Sequence, residues 1–114
     1  MQTRRTALAA QAAYYLVTGV WPLISMHSFE AVTGPKTDRW LVKMVGHLAA
    51  TIGATLAIGA QKEEPDAQTL FLAVVSAFCF GSVGAVYALN GTISKIYLAD
   101  AVVEAALIAA LLRG

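Results

Sequence analysis

An all-α fold, a four-helix transmembrane bundle running up-down-up-down as one domain over residues 1–114, is what this sequence predicts, and three observations carry the prediction. The first is composition: 58% of the 114 residues are hydrophobic and 13% charged, whereas soluble domains carry about 25% charged residues. The mean hydropathy is +0.65, and a soluble chain this short has too little interior to hide so much apolar surface. The second is a pair of uncharged runs, 6–26 and 68–90, each as long as the roughly 20 helical residues that cross a hydrocarbon core of ~30 Å. The third is a further pair of apolar stretches, 38–60 and 94–112, which reach the same length with charges embedded in them.

The first helix is expected over 6–26. Arg4-Arg5 before an apolar stretch resembles the start of a secretory or twin-arginine signal, but the run has the length of a full span and lacks a clear small-x-small cleavage site, so a retained helix is expected. Pro22 removes a backbone donor and frees the carbonyl of Thr18, which predicts a kink or an early end. The segment 27–37, with Gly34-Pro35, reads as an irregular loop. The second helix, 38–60, takes Thr37 or Asp38 as its cap. Lys62-Glu63-Glu64 and Pro65 close it, and Asp66 would cap the third helix, 68–89. Asn90-Gly91-Thr92 is turn chemistry, and Thr92 or Ser94 would cap the fourth helix, 94–112. Short loops make consecutive helices antiparallel neighbours.

Small residues recur in two spans: Gly46, Ala50, Gly53 and Ala57 in the second, and Ala77, Gly81, Gly84 and Ala88 in the third. Such stripes let helix backbones approach closely. They serve packing within the chain, with a homodimer face as the alternative. Trp21, Trp40, Tyr87 and Tyr97 fall near span ends and suit an aromatic belt. The single cysteine, Cys79, permits no intramolecular disulfide and reads as packing.

Asp100 and Glu104 are the residues that most need a reason. Burying a charge at a helix centre costs roughly 2.5–3.5 kcal/mol on insertion scales, so such groups face a bundle interior, find partners and mark working sites. Four positions apart, they share one helix face. Arg39, Lys43 and His47 form a basic stripe at the same spacing in the second span. With a rise of ~1.5 Å per residue, Lys43 lies about 7 to 8 Å and His47 about 13 Å beyond Asp38, while Asp100 and Glu104 lie about 9 and 15 Å beyond Ser94. Matched depth predicts that Lys43 or His47 meets Asp100 or Glu104. These residues, with Tyr97, are the expected ligand- or proton-binding set. Because His27, Glu30, Lys36, Asp38, Lys95 and Asn90 belong to the same half, a polar vestibule on one side and a dry plug on the other are expected.

Several functions are disfavoured by the residues. Paired haem ligation by His27 and His47, or a metal on His47, Asp100 and Glu104, has no diagnostic spacing, so neither a metal nor a cofactor is expected. There is no glycine-rich phosphate loop, nucleophile elbow or CxxC. At net charge +1, with no basic soluble face, nucleic acid is not an expected partner.

Trp21-Pro22, the segment 29–42 (FEAVTGPKTDRWLV) and Tyr97-Leu98-Ala99-Asp100-Ala101 resemble small bacterial four-helix integral membrane proteins, and the layout, a longer first loop with short others, is similar to the DoxX-like group. The resemblance implies a fold more than a function. Some relatives of that layout are respiratory or redox-associated subunits, and this chain shows none of the cofactor residues that would carry that role.

The expected function is therefore a small polytopic membrane protein whose one-sided polar site binds or carries a small or amphipathic molecule or lipid, with proton linkage as an option. Two alternatives stand beside it: an accessory subunit of a larger membrane complex, and a membrane enzyme in the style of the EXPERA sterol isomerases, using Asp100 and Glu104 as acid and base. The non-enzymatic readings are preferred, since two carboxylates on one helix frame a substrate poorly. A bacterial inner membrane is the expected location. Lys and Arg tie at four on each side, and weighting the first helix puts the N-terminus in the cytoplasm.

Overall fold

In the computed structural model, residues 2–113 are described. They form five helices and no strand: α1 Gln2–Ile24, α2 Met26–Thr33, α3 Arg39–Ala60, α4 Ala67–Leu89 and α5 Ile96–Arg113. Three stretches, Arg4–Ile24, Arg39–Ala60 and Ala67–Leu89, are long and apolar enough to cross a membrane. The 18 residues of α5 hold Asp100, Glu104 and Arg113.

Glycine decides how α1 and α3 pair. A Cβ at Gly19 would stand 2.7 Å from the Gly46 carbonyl oxygen, and one at Gly53 would stand 2.9 Å from the Ala12 carbonyl oxygen. The two backbones therefore touch, which is how helices associate where lipid removes any hydrophobic drive. The buried stripe of α3 is Gly46, Ala49, Gly53, Leu56 and Gly59, and it meets Ala12, Leu16, Gly19 and Leu23 of α1. Pro22 does not end α1. Its ring packs over Gly46, the helix runs on to Ile24, and the break comes at Ser25, where φ is −143°. α4 pairs with α5 by the same device: a Cβ at Gly81 would meet the Cβ of Glu104 at 3.1 Å. The small-residue stripes serve packing within the chain.

Polar side chains tie one end of the assembly. Arg4 Nε donates to the Leu111 carbonyl at 2.9 Å and Arg5 Nε to the Ala60 carbonyl at 3.0 Å, so the start of α1 meets the ends of α5 and α3, and α1 is antiparallel to both. Cations there also satisfy the unpaired carbonyls of helix C-termini. α4 begins on a capped turn, with Asp66 Oδ1 accepting from the Thr69 amide at 2.9 Å.

The segment after α1 differs from the expected loop, because eight of its residues fold as α2. Ser25 supplies the cap that the sequence reading overlooked, its side chain accepting from the Ser28 amide. Gly34, at φ +100°, ends the helix in a conformation that side chains rarely adopt. α2 folds back over the bundle end: Phe29 meets the Trp21 ring edge-on at 5.3 Å, Trp21 Nε1 donates to Ser28 Oγ, and Glu30 pairs with Arg39 at 2.9 Å. Lys36 Nζ stands 5.8 Å from the Phe29 centroid and 5.1 Å from that of Tyr97, a cation held between two aromatic faces. The polar residues of this end are thus largely spent on one another.

Two predictions follow from this packing. Gly46→Leu drives a side chain into α1 and is expected to destabilise the protein by about 1–3 kcal/mol, read as a lower unfolding midpoint in detergent by circular dichroism; Ala54→Leu, at an exposed position, is the control. The Arg39 guanidinium and the Lys36 amide hold the Glu30 carboxyl below its usual value of 4.5. A depressed carboxyl stabilises the fold above its ordinary value and loses that contribution as pH falls through the folded value. Acidifying below about pH 4.5 is therefore expected to loosen α2 and shift Trp21 fluorescence in a Trp40→Phe background, and Glu30→Gln to abolish that acid transition.

Candidate functional site

Gln11, Tyr14, Tyr15 and Thr18 recur on α1 at the spacing i, i+3, i+4, i+7, which puts them on one helix face. Asp100 and Glu104 do the same on α5. Adjacent tyrosines point about 100° apart around a helix of 3.6 residues per turn, so their hydroxyls reach two different acceptors. Tyr14 donates to Asp100 Oδ1 and Tyr15 donates to Glu104 Oε1 at 2.8 Å. The result is a cluster of two carboxyls and two phenols between α1 and α5, roofed by α4.

Burial is deepest at the second pair. Glu104 and Tyr15 are each 2% exposed and Gln11 is fully buried, while Tyr14 and Asp100 are half-buried. Phe80 of α4 places its ring against Tyr15 at 5.3 Å, edge to face. Gly81 and Gly84 of α4 leave the space that Glu104 and Asp100 occupy. Gln11 Nε2 donates to the Ala73 carbonyl at 2.9 Å, which fixes the orientation of the amide, and its Oε1 is buried without a partner. Among the described residues the ion pairs are Arg39–Glu30 and Lys62–Asp66; Asp100 and Glu104 have neither a cation within 4 Å nor any donor side chain but the two tyrosines.

The basic stripe lies elsewhere, and the expected pairing of Lys43 or His47 with the acids is corrected. Depth was matched, but azimuth was not. The face of α3 that packs on α1 is set by Gly46 and Gly53, which turns Lys43 and His47 to the outside, where both are exposed. α1 stands between α3 and α5, so α1 and not α3 supplies the acids with partners. His47 Nδ1 lies 2.9 Å from its own helix carbonyl at Lys43, and Thr51 and Thr55 continue the ridge, each bonded to the carbonyl four residues back. Arg39 serves Glu30 and Tyr97 serves Lys36. Of the six residues expected at the site, Asp100 and Glu104 come together; Tyr14, Tyr15 and Gln11 were missed. The i, i+3, i+4, i+7 polar repeat in an otherwise apolar first span was the available signal.

Beside the cluster runs an apolar groove of about 690 Å³ between α1 and α5, lined by Thr6, Ala7, Ala10, Val103, Ala106 and Leu107 among others. Its lining stops at Ala10 and Val102–Val103, and Tyr14 and Asp100 lie one turn further along the same faces, so the half-buried Tyr14–Asp100 pair stands at the end of the groove. Comparison of the chain with protein-family models, with curated proteins and with solved structures finds no match.

Breaking the deeper pair tests this geometry. Tyr15→Phe leaves a buried carboxyl without its donor and is expected to cost about 1–3 kcal/mol, more than Tyr14→Phe at the half-buried pair. In a double-mutant cycle with Glu104→Gln, measured by unfolding in detergent, the coupling is expected near 0.6–2 kcal/mol, the range of interhelical bonds in membranes. Strictly additive effects would contradict the bond.

Proposed function

We propose that the chain is a four-span integral membrane protein, up-down-up-down, that binds or carries a small amphipathic molecule, its polar part at the Asp100/Glu104 cluster and its apolar part in the α1–α5 groove. One observation carries the reading: Glu104 is 2% exposed in a largely apolar helix without a cation beside it, an arrangement expensive enough to mark a working site. α5 serves as the fourth span, since 18 residues rise about 27 Å and its acids turn inward. The proposal extends to a DoxX-like layout, to a bacterial inner membrane and to a cytoplasmic N-terminus. A proton-linked form follows if the carboxyls change ionisation as the ligand enters, and Glu104→Gln, which keeps shape but cannot ionise, is then expected to flatten the pH profile of binding.

A second reading, an accessory subunit or homodimer, is favoured by the outward ridge of Lys43, His47, Thr51 and Thr55 on α3, polar groups on a face that would otherwise meet lipid. The enzyme reading has less support, because both carboxyls come from one helix and each is already held by a tyrosine.

Native mass spectrometry of protein extracted in mild detergent tests the binding. A small-molecule adduct is expected on the wild type, reduced by Ala106→Leu, which fills the groove, and lost in Asp100→Asn. An adduct indifferent to both would contradict the site. Topology is tested on a Cys79→Ala background: Glu64→Cys is expected to react with an impermeant maleimide only from the cytoplasmic side, and Asn90→Cys only from outside. Labelling of both from one side would overturn the four-span arrangement.

A further inference from the structure

The cluster has more acceptors than donors. With both carboxyls ionised, Asp100 and Glu104 bring four acceptor oxygens, and Gln11 Oε1 is a fifth, fully buried and unpartnered acceptor. Against them stand two hydroxyls, those of Tyr14 and Tyr15. No Lys, Arg or His lies within 4 Å of either acid among the described residues. Buried polar groups in proteins are otherwise nearly always satisfied, and buried carboxylates are paired. The deficit has one sign in both currencies: the site lacks positive charge and it lacks N–H or O–H donors.

Resting on the proposed binding site, we infer that the ligand is an amphipathic primary or secondary amine, bound as its ammonium. Its charge answers the two carboxyls and its N–H groups answer the surplus acceptors, Asp100 and Glu104 first. A quaternary ammonium brings the charge without donors, an alcohol brings a donor without charge, and a fatty acid brings the wrong charge. The rings of Tyr14 and Tyr15 stand 6.2 Å apart and that of Phe80 meets Tyr15 edge to face at 5.3 Å, so the cluster is bordered by aromatic rings. The hydrocarbon part has a place: the groove follows α5 from Val102 to Ala110, about 12 Å of helix, lined by Ala, Val and Leu with one threonine, and it opens sideways to lipid. Asp100 lies one turn into α5 from Ile96, so the headgroup sits near the membrane face closed by α2 and the chain points inward, as in a lipid of that leaflet.

The test uses the full chain in nanodiscs of neutral phosphatidylcholine, with radiolabelled octylamine as the probe, empty discs subtracted, at pH 7, where an alkylamine with a pKa near that of lysine, about 10.4, is charged. Saturable octylamine binding is expected. Octyltrimethylammonium should compete about tenfold more weakly, the loss of one charge-assisted hydrogen bond, and octanol and octanoate should not compete. Glu104→Gln and Asp100→Asn are expected to lower affinity about tenfold or more. Should Glu104→Gln fail to fold, Asp100→Asn at the half-exposed position still decides. Ala106→Leu should weaken octylamine more than butylamine, because only the longer chain reaches the groove. Absence of saturable binding, equal competition by octanol or octanoate, parity of octyltrimethylammonium, or wild-type affinity in the folded acid variants would each overturn the inference, the first meaning that protons on the carboxyls fill the deficit. Octylamine failing while a groove-sensitive adduct persists in mass spectrometry overturns the amine and leaves the binding site; loss of both overturns the site.

Discussion

The hydrogen bond from Tyr15 to Glu104 sets the azimuth of α5, and much of the interior follows from it. A carboxyl buried as completely as that of Glu104 must find donors inside the protein, because it meets no solvent. α1 presents two phenols in succession, α5 presents two acids one turn apart, and only one rotation of each helix satisfies both. With that rotation fixed, Ala101 and Glu104 face the glycines of α4, and Val102, Val103 and Ala106 are left along the groove.

Glycine supplies the complementary constraint. α1 has to hold α3 on one side and α5 on another, and Gly19, Gly46 and Gly53 bring α3 to backbone contact, so that α1 keeps its tyrosine face free for α5. The consequence for function is that the basic ridge of α3 points away from the acids. A protein of this size thereby keeps two polar features apart: an acidic interior site without a cation, and an outward ridge of Lys43, His47, Thr51 and Thr55.

How much of this the sequence disclosed differs by level. Span lengths and breakers located the long helices to within a few residues, because hydrocarbon thickness and Gly-Pro chemistry act locally. Asp100 and Glu104 stood out for the same reason: their cost depends on depth, and depth is legible from distance to a helix end. Rotation about the helix axis is not local. It depends on which neighbour a helix packs against, so Lys43 and His47 were matched to the acids in depth and placed on the wrong side. Tyr14, Tyr15 and Gln11 were overlooked because uncharged polar residues in a span raise little cost of their own. α2 escaped notice because a single turn-rich segment with Gly34-Pro35 at its end hides an eight-residue helix that depends on the Ser25 cap and on Trp21 packing.

The partner of Glu104 distinguishes this account from a conventional ion pair between α3 and α5. Solid-state NMR on protein in bilayers, labelled with ¹³C at the Glu side-chain carboxyl and in the Tyr, His and Lys side chains, reads that partner as a through-space correlation. A cross-peak between the Glu104 carboxyl and the Tyr15 ring carbon bearing the hydroxyl, absent in Tyr15→Phe, is the expected result. A correlation from Glu104 to the His47 imidazole or the Lys43 ε-carbon, with none to Tyr15, would contradict it.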